Sequence, residues 1–359
     1  MDTWATSSVS PQIALDFKGE TPDELFEQNF PMSLRMQAHD IIRTWTFYTI
    51  VKGLYNHEKI PWKNIMVSGF VQDEHGRKMS KSKGNAIDPI GIIENDCADA
   101  VRYSASCVKL GEDMPFKDKY LETGKKLVTK VFNASKFAHM HLEDYDGSFD
   151  ASILTPIDTF MLAQLSTMQQ KAHDYLEQYE FAKARQEIEQ RFWMFCDYYL
   201  EIVKDRLYKP EVYGDESRSA AQMALAKSLE LLLTSLAPYV PYVTEEVWSW
   251  YFATAKNSPS IHTQQWELPD FTAAEEITFG AQHLFNIISQ GRQAKNAAGK
   301  SQRAVITNMK ISCDVATQKA LVHFEDDVKR TLSVEELSYE TVEKHTEPLD
   351  VTIELAEEN

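Results

Sequence analysis

The sequence has few of the features that mark secreted, metal-bound or membrane-spanning proteins. Its 359 residues include four cysteines, widely separated and without a C-x-x-C pair, which argues against a disulfide framework or a sulfur-rich zinc site. No apolar run reaches eighteen residues, and residues 1–4 have neither the charged start nor the apolar middle of a secretion signal. We therefore expect a cytoplasmic protein without a dedicated metal site.

Net positive charge is also lacking. The formal charge of −17 argues at first against a nucleic-acid partner, because phosphates are bound by Lys and Arg. The charge is unevenly spread, however. Residues 324–359 contain twelve acidic and three basic residues, whereas residues 117–136 contain six basic and two acidic ones. The basic segment, around Lys125, Lys126 and Lys130, favours a nucleic-acid surface; a merely solvated helix face is the alternative.

The composition, 43% hydrophobic and 25% charged, is that of a chain with two or three folded domains. Residues 1–118 alternate short apolar runs, such as 64–71, with amphipathic stretches, such as 40–55. This is the pattern of strands and helices in an α/β sheet. A doubly wound nucleotide-binding domain needs more strands than this block offers, so we expect only part of one.

Residues 119–256 form the second predicted domain, a helical bundle. Apolar side chains recur there at three- and four-residue spacing in three stripes. A further helix is predicted to restart after Pro241, with Thr244 as its capping residue. The stripes are Ile157, Met161, Leu165, Met168, Ala172 and Leu176; Ile188, Phe192, Phe195, Tyr199 and Ile202; and Leu225, Leu229, Leu232 and Leu236.

Residues 270–359 form the third predicted domain, a small α/β domain. A helix is predicted over 277–295 and strands over 304–312 and 349–355, the last from its alternating apolar and polar residues. The fold class is therefore multidomain, α/β followed by all-α, with a small C-terminal α/β domain.

The strongest local feature is the segment Lys78-Met79-Ser80-Lys81-Ser82, followed by Lys83 and flanked by Gly76 and Gly84. Three lysines among small hydroxyl residues and glycines predict a mobile cationic loop that can close over polyphosphate. Ammonium groups at that place stabilise the charge that accumulates on a pyrophosphate leaving group. An exposed basic hairpin is the alternative.

This pentamer matches the KMSKS motif of class I aminoacyl-tRNA synthetases letter for letter. The segments 84–89 and 97–102 resemble those that follow the loop in the subgroup for large aliphatic amino acids, with Cys97 in place of a glycine. The segment 238–248 resembles an element of that subgroup's anticodon-binding bundle. The resemblance implies a partial class I Rossmann-type catalytic domain and a helical anticodon-binding domain.

Finer residues favour the valyl members of this family. Residues 2–8, Asp-Thr-Trp-Ala-Thr-Ser-Ser, resemble the valyl D-T-W-x-S-S segment, and 113–116 is similar to the valyl pattern. Residues 37–45 resemble the archaeal-type valyl segment Q-G-H-D-I-I-R-T-W, with Ala38 in place of glycine. The resemblance implies ATP-dependent activation of valine, with Mg²⁺ accompanying ATP, and transfer to tRNA(Val) by a monomeric enzyme.

The resemblance also implies site residues. Lys78 and Lys81 would stabilise the leaving pyrophosphate, and Asp40 would accept hydrogen bonds from the ATP ribose. Two indoles and a branched chain could enclose the valine side chain, and Ile41 and Trp45, four apart, would share one helix face. The implied ATP-binding residues are His39, Asp40, Met79, Ser80, Lys81 and Ser82, and the implied valine pocket is Trp4, Ile41 and Trp45.

We find no motif like H-I-G-H and no long insertion that could serve as an editing domain. We therefore expect this chain to be the C-terminal portion of such an enzyme, inactive in aminoacylation by itself; robust valine-dependent pyrophosphate exchange would contradict this. The alternatives are a portion of an isoleucyl or leucyl enzyme and a non-catalytic tRNA-binding module.

Overall fold

The computed structural model describes residues 3–16, 18–344 and 346–356, apart from the side chain of Lys81. The chain divides into two compact units. The first unit comprises residues 1–125 and 175–182, and the second comprises residues 126–174 and 183–359. The domain boundaries drawn from the sequence stay predictions.

The first unit is built around a pair of parallel strands joined through a helix. Strand β1 runs beside β2, with Met32 opposite Trp62 and Ala38 opposite Ser68. A shorter parallel pair is formed by β3, which precedes the lysine-rich loop, and β4, which follows two helices after the loop. The elements are α1 Thr3–Ser7, α2 Ser10–Leu15, α3 Asp23–Asn29, β1 Met32–Ala38, α4 Phe47–His57, β2 Trp62–Ser68, β3 Val71–Gln72, α5 Pro89–Asn95, α6 Ala98–Ala105, β4 Met114–Pro115 and the start of α7 Asp118–Leu142.

The connection from β1 to α4 is not the regular helix that the amphipathic stretch from residue 40 predicts. A 3₁₀ turn, His39–Ile41, is followed by a π-helical turn, Ile42–Thr46. Side-chain bonds hold this irregular turn in place: the Thr46 hydroxyl donates to Gln37 Oε1 at 2.5 Å, and the Trp45 indole donates to the Ser7 carbonyl at 2.8 Å. The prediction that Ile41 and Trp45 share one face assumed a regular helix, so in this irregular turn their four-residue spacing does not by itself establish a shared face.

Helices dominate the second unit, and its predicted stripes are buried as expected. All the stripe residues that belong to this unit are at most 3% exposed. Leu176 lies in the first unit and is half-buried. The helices are the remainder of α7, α8 Pro156–Glu177, α9 Phe181–Met194, α10 Leu200–Tyr208, α11 Pro210–Tyr213, α12 Asp215–Leu236, α13 Pro241–Trp250 and α14 Phe252–Ala255, with a π turn at Phe195–Tyr199.

The helix that follows α12 begins differently from the prediction. Helix α13 begins at Pro241, whose missing N–H costs nothing at a first helical position. Thr244 lies inside the first turn, where its hydroxyl donates to the Val240 carbonyl at 2.9 Å. The predicted capping role for Thr244 is wrong, because proline rather than a hydroxyl side chain starts this helix.

The bundle also encloses an ion pair. The Arg206 guanidinium donates to both carboxylate oxygens of Asp158, at 3.0 and 2.8 Å, and both side chains are at most 1% exposed. The Tyr199 hydroxyl and the Thr155 backbone N–H and hydroxyl also donate to Asp158. The remaining guanidinium donors reach the Ser217 carbonyl and hydroxyl and the Thr155 hydroxyl. A buried pair stabilises a fold only when its other hydrogen-bonding groups are satisfied in this way.

The C-terminal part of the second unit is a three-stranded sheet in the order β6-β5-β7, covered by helices. Strand β5 is parallel to β6 and antiparallel to β7. Gly280 of α15 lies where a Cβ atom would be 2.6 Å from the Ala320 carbonyl oxygen, so only glycine permits this approach to α16. The elements are α15 Glu275–Ala297, β5 Ile306–Cys313, α16 Val315–Val322, α17 Glu325–Leu332, β6 Val334–Thr341 and β7 Asp350–Leu355. Within the described residues, no helix is both long enough and apolar enough to span a membrane.

Candidate nucleotide and nucleic-acid sites

The lysine-rich loop extends from a tight reversal of the chain after β3. The Asp73 N–H donates to the Arg77 carbonyl at 2.9 Å, and Gly76 turns the chain with a φ of +74°. Glycine adopts this left-handed conformation without strain. Residues Lys81–Lys83 form a single 3₁₀ turn, in which the Lys83 N–H donates to the Ser80 carbonyl at 3.1 Å.

The loop brings Lys78 to Asp40, a residue 38 positions earlier that follows β1. The Lys78 Nζ donates to Asp40 Oδ2 at 3.0 Å and lies 3.7 Å from the centre of the Phe70 ring. His39 contacts the same ring, with 4.4 Å between ring centres. Lys78, predicted to be catalytic, and His39, predicted to bind ATP, thus both contact Phe70, and Asp40 is paired with Lys78. The sequence reasoning missed Phe70. The only sequence feature that could have indicated Phe70 is its position directly after β2 and Gly69.

The ion pair between Lys78 and Asp40 is open to water. Their side chains are 53% and 41% exposed. The hydrogen bond from Lys78 lowers the pKa of Asp40 from its ordinary value, so this carboxylate is charged at neutral pH. An exposed pair of this kind is weak and can be exchanged for another partner at small cost.

Two strands beside the loop are fixed by Asp113. Its carboxylate accepts the Phe70 N–H at 2.7 Å and the Gln72 side-chain amide at 3.0 Å. At Gly69 a Cβ atom would lie 2.1 Å from the Glu112 carbonyl oxygen, so a side chain cannot be accommodated at this crossing. The Asp113 segment singled out in the sequence therefore positions Phe70 and the start of the loop.

The predicted valine-pocket residues lie in one region of the first unit. Trp45 is buried, stacked on Trp62 at 5.5 Å and covered by the Arg35 guanidinium at 3.4 Å from its ring centre. Its indole bond to Ser7 ties it to α1, the helix that carries Trp4, whereas Ile41 is half-buried. Their role in valine recognition stays a prediction.

Other predicted positions are less fully described. Ser80 and Ser82 lie with their hydroxyl oxygens 3.2 Å apart, and Met79 is half-buried. The Lys81 side chain and residue Asp2 lie outside the described part of the structure. Ala38, which stands where the related segment has glycine, has an extended backbone (φ −83°) that any residue adopts, so the substitution introduces no strain.

A second candidate site is a groove of about 1160 Å³ in the second unit. Although the whole chain is acidic, six cationic side chains and three carboxylates line this groove, together with Tyr198 and Tyr208. The sequence reasoning identified one of its residues, Lys130, and missed the rest, because they come from four separate elements. The charged residues are Lys130, Lys204, Lys209, Arg292, Arg303 and Arg330, with Asp197, Glu201 and Asp205.

The three lysines predicted for tRNA binding have different surroundings. Lys130 lies 3.1 Å from Asp197 within the groove. Lys125 forms an ion pair with Asp96 in the first unit, and Lys126 is exposed. Among the described residues, no group of three or more His, Cys, Asp or Glu side chains could hold a metal ion.

Comparison with known proteins identifies the class. Residues 1–117 match the family described as tRNA synthetases class I (I, L, M and V), and residues 158–310 match the anticodon-binding domain of tRNA ligase. The fold is shared with a leucyl-tRNA synthetase from Agrobacterium radiobacter, solved with tRNA and LeuAMS (TM-score 0.60, 17% identity, all of this chain and 43% of that one). It is also shared with the Mycobacterium tuberculosis methionyl-tRNA synthetase bound to methionyl-adenylate (TM-score 0.60, 20% identity, 76% and 54%). The chain belongs to the class I aminoacyl-tRNA synthetases.

Within that class, the chain is similar to several valine–tRNA ligases. The enzyme of Thermobifida fusca is 38% identical over 360 residues, which is 99% of this chain and 40% of that protein. The Tropheryma whipplei enzyme is 39% identical over 92% of this chain and 38% of its own length, and that of Wolbachia pipientis is 36% identical over 97% and 40%. The chain therefore spans about two fifths of the length of these relatives. The likeness to archaeal-type enzymes stays a prediction.

Proposed function

We propose that this chain supplies the ATP-closing loop and the tRNA-binding bundle of a valine–tRNA ligase. The observation that carries the proposal is the juxtaposition of Lys78 and Asp40, a cation and a carboxylate from distant segments, both open to water. The similarity to valine–tRNA ligases along nearly the whole chain supports valine as the amino-acid substrate. It does not favour an isoleucyl or leucyl enzyme, or a module without catalysis.

In the proposed reaction the valine carboxylate attacks the α-phosphate of ATP and pyrophosphate leaves. The valyl group then passes to the 3′ end of tRNA(Val). Lys78 and Lys81 neutralise charge on the departing phosphates, which is stronger in the transition state than in bound ATP. Asp40 accepts hydrogen bonds from the ribose hydroxyls.

In the absence of ATP, Lys78 and Asp40 form an ion pair with each other. ATP offers each a better partner, because the phosphates attract the ammonium group and the ribose hydroxyls donate to the carboxylate. Binding therefore exchanges one exposed ion pair for two substrate contacts. His39 and Phe70 lie beside this pair, and we expect both to contact the nucleotide.

The valine side chain is assigned to Trp4, Ile41 and Trp45. Because Trp45 is held by Trp62, Arg35 and Ser7 and is only 6% exposed, it can form a rigid wall behind the pocket. The more exposed Trp4 and the half-buried Ile41 can contact the side chain. A rigid apolar surface suits a branched aliphatic side chain, since little conformational entropy is lost on binding.

The groove of the second unit is the proposed contact for tRNA phosphates. Excess cationic charge in an otherwise acidic chain favours a negatively charged partner, and the exposed Tyr208 offers an aromatic surface on which a base can stack. Lys130 belongs to this groove, and Lys125 and Lys126 extend the same helix. Mg²⁺ would be held mainly by the ATP phosphates, in a monomeric cytoplasmic enzyme.

The amino-acid assignment is tested by measuring which tRNA the purified chain binds. Transcripts of tRNA(Val), tRNA(Ile) and tRNA(Leu) are compared at one salt concentration, since such affinities change steeply with salt. We expect tRNA(Val) to bind at least roughly tenfold more tightly, the discrimination that one or two specific base contacts provide. Equal affinity for the three would contradict the valyl assignment.

A further inference from the structure

Asp73 lies at the base of the lysine-rich loop and is its most heavily bonded side chain. Only 8% of this residue is exposed. One carboxylate oxygen accepts the backbone N–H groups of His75 and Arg77 at 3.0 and 2.8 Å. The other accepts the Arg77 guanidinium at 2.7 Å and the Asn85 side-chain amide at 2.9 Å.

Asn85 connects this carboxylate to the loop itself. Its amide oxygen accepts the Ser80 N–H at 3.0 Å, and its NH₂ group donates to Asp73 and lies 3.4 Å from the Lys78 carbonyl oxygen. One side chain thus contacts the backbone at two motif positions and the carboxylate at the loop's base. The ends of the loop, residues 73 and 85, are joined by these side chains.

We propose that Asp73 and Asn85 are positioning residues that hold the backbone of the 78–85 loop in the form that presents Lys78 to the nucleotide. The inference rests on the proposed function of the loop. Asp73 fixes the reversal at residues 73–77, and Asn85 transmits that position to Ser80. Neither residue touches the Lys78 ammonium group, so both act through the backbone.

Charge and burial agree with this role. The hydrogen bond from Asn85 is the first cause that holds the pKa of Asp73 well below its ordinary range, and the bonds from Arg77 and His75 add to it. Asp73 is therefore ionised at any pH at which the protein works, and its bonds are of the stronger, charge-assisted kind. By contrast, Lys78 and Asp40 are exposed and free to exchange partners.

The test exchanges the two side chains. Asp73→Asn keeps the acceptor for the backbone N–H groups but sets an NH₂ group against the Asn85 NH₂ group. Asn85→Asp keeps the acceptor for Ser80 but sets a carboxylate against Asp73. The double variant, Asp73→Asn with Asn85→Asp, restores a hydrogen bond between the two positions with its direction reversed.

The first readout is the rate at which trypsin cleaves the full chain after Lys81 and Lys83, measured without nucleotide. We expect each single variant to be cleaved roughly tenfold faster, the factor expected when a hydrogen bond to a charged group is lost. The double variant restores the bond between residues 73 and 85 but not the one from the Arg77 guanidinium, so it should be cleaved several-fold more slowly than either single variant. Asp16→Asn is the matched control, because Asp16 also accepts two backbone N–H groups, of Glu20 and Thr21, in the same unit. Its rate should not change.

The second readout separates positioning from general stability. The urea midpoint of unfolding is measured beside the dissociation constant for inorganic tripolyphosphate. We expect the single variants to bind tripolyphosphate several-fold more weakly at an unchanged midpoint. Single variants cleaved at the parent rate, or a double variant as labile as the singles, would overturn the proposal. If a variant fails to fold, Asn85→Ala, which removes only a half-buried side chain, provides the same test through Ser80.

The two proposals can fail separately. If the cleavage pattern is as expected but neither the parent nor any variant binds tripolyphosphate, the loop is held by Asp73 and Asn85 but does not handle ATP. That result would contradict the proposed function and, with it, the positioning role for the nucleotide.

Discussion

The two units of this chain keep their ion pairs in opposite surroundings. In the second unit Arg206 and Asp158 are at most 1% exposed and every donor of the guanidinium has a partner. In the first unit Lys78 and Asp40 are about half exposed and contact little besides each other and the Phe70 ring. A buried pair cannot change partners without leaving a charge unpaired, whereas an exposed pair can. The buried pair of Arg206 and Asp158 therefore maintains the fold, whereas the exposed pair of Lys78 and Asp40 can be opened by a substrate.

The largest effect is expected from breaking the buried pair. Arg206→Leu would leave the Asp158 carboxylate buried without its cation and should lower the free energy of unfolding by about 3–5 kcal/mol. Urea unfolding followed by tryptophan fluorescence measures it. Lys59→Leu removes one partner of an exposed pair with Glu27 in the first unit and should cost less than about 1 kcal/mol. Similar losses in both variants would remove the distinction between the units.

The next effect is a pH dependence that originates in the second unit. Burial raises the pKa of Asp327 to about 6, against the opposing influence of Arg330 and Arg206. A carboxyl group whose folded pKa is raised binds its proton more tightly in the folded state. Stability therefore increases as the pH falls through about 6 towards the unfolded value.

Comparison with Asp327→Asn isolates this contribution. Relative to that variant, the parent chain should gain up to roughly 2–3 kcal/mol of unfolding free energy between pH 7.5 and pH 4.5, from about 1.4 kcal/mol per pKa unit. The groups facing Asp327 are Arg330, at 2.7 Å, and the charges of Arg206 and Asp158. A difference between the two proteins that is constant over this range would contradict the prediction.

A smaller effect is expected in the groove. Lys130→Glu and Arg303→Glu should each weaken tRNA binding by roughly three- to tenfold and reduce the salt dependence by about one phosphate contact. Lys319→Glu makes the same change of charge on the second unit outside the groove and should have little effect. Filter binding at several salt concentrations distinguishes them, and equal losses for all three would assign binding to net charge alone.

The smallest effect is expected from Lys78→Ala on stability. Because its pair with Asp40 is exposed, the free energy of unfolding should change by less than about 1 kcal/mol, while polyphosphate binding is weakened. Urea unfolding of this variant measures the first quantity. A loss as large as that of Arg206→Leu would mean that the loop pair maintains the fold.

The sequence predicted the second unit better than the first, for a physical reason. Apolar spacing reports burial, and residues such as Leu165, Phe192 and Leu232 are buried as their spacing indicates. The irregular turn at Ile42–Thr46 depends on tertiary bonds to Gln37 and Ser7, which spacing does not record.

The same limit applies to the candidate sites. The lysine motif and Asp40 could be proposed as a nucleotide site by resemblance, whereas Phe70 and the bonds of Asp73 could not be anticipated from the sequence. Of the groove, the sequence indicated only Lys130, because Arg292, Arg303 and Arg330 converge on it from segments distant in sequence. Contacts between segments that are distant in sequence can be identified only from the folded structure.

The central claim is that Lys78 and Asp40 bind different parts of ATP. Its most direct test uses two probes, each of which carries one part of ATP. Adenosine carries the ribose without phosphates, and inorganic tripolyphosphate carries phosphates without a ribose. Their dissociation constants are measured for the parent chain, Asp40→Asn, Lys78→Ala and the control Lys59→Ala, by isothermal titration. If Lys78 and Asp40 bind different parts of ATP, Lys78→Ala should weaken tripolyphosphate and leave adenosine unchanged. Asp40→Asn should weaken adenosine and tighten tripolyphosphate, because it releases Lys78. A parent chain that binds neither probe, or variants that affect both probes equally, would contradict the account.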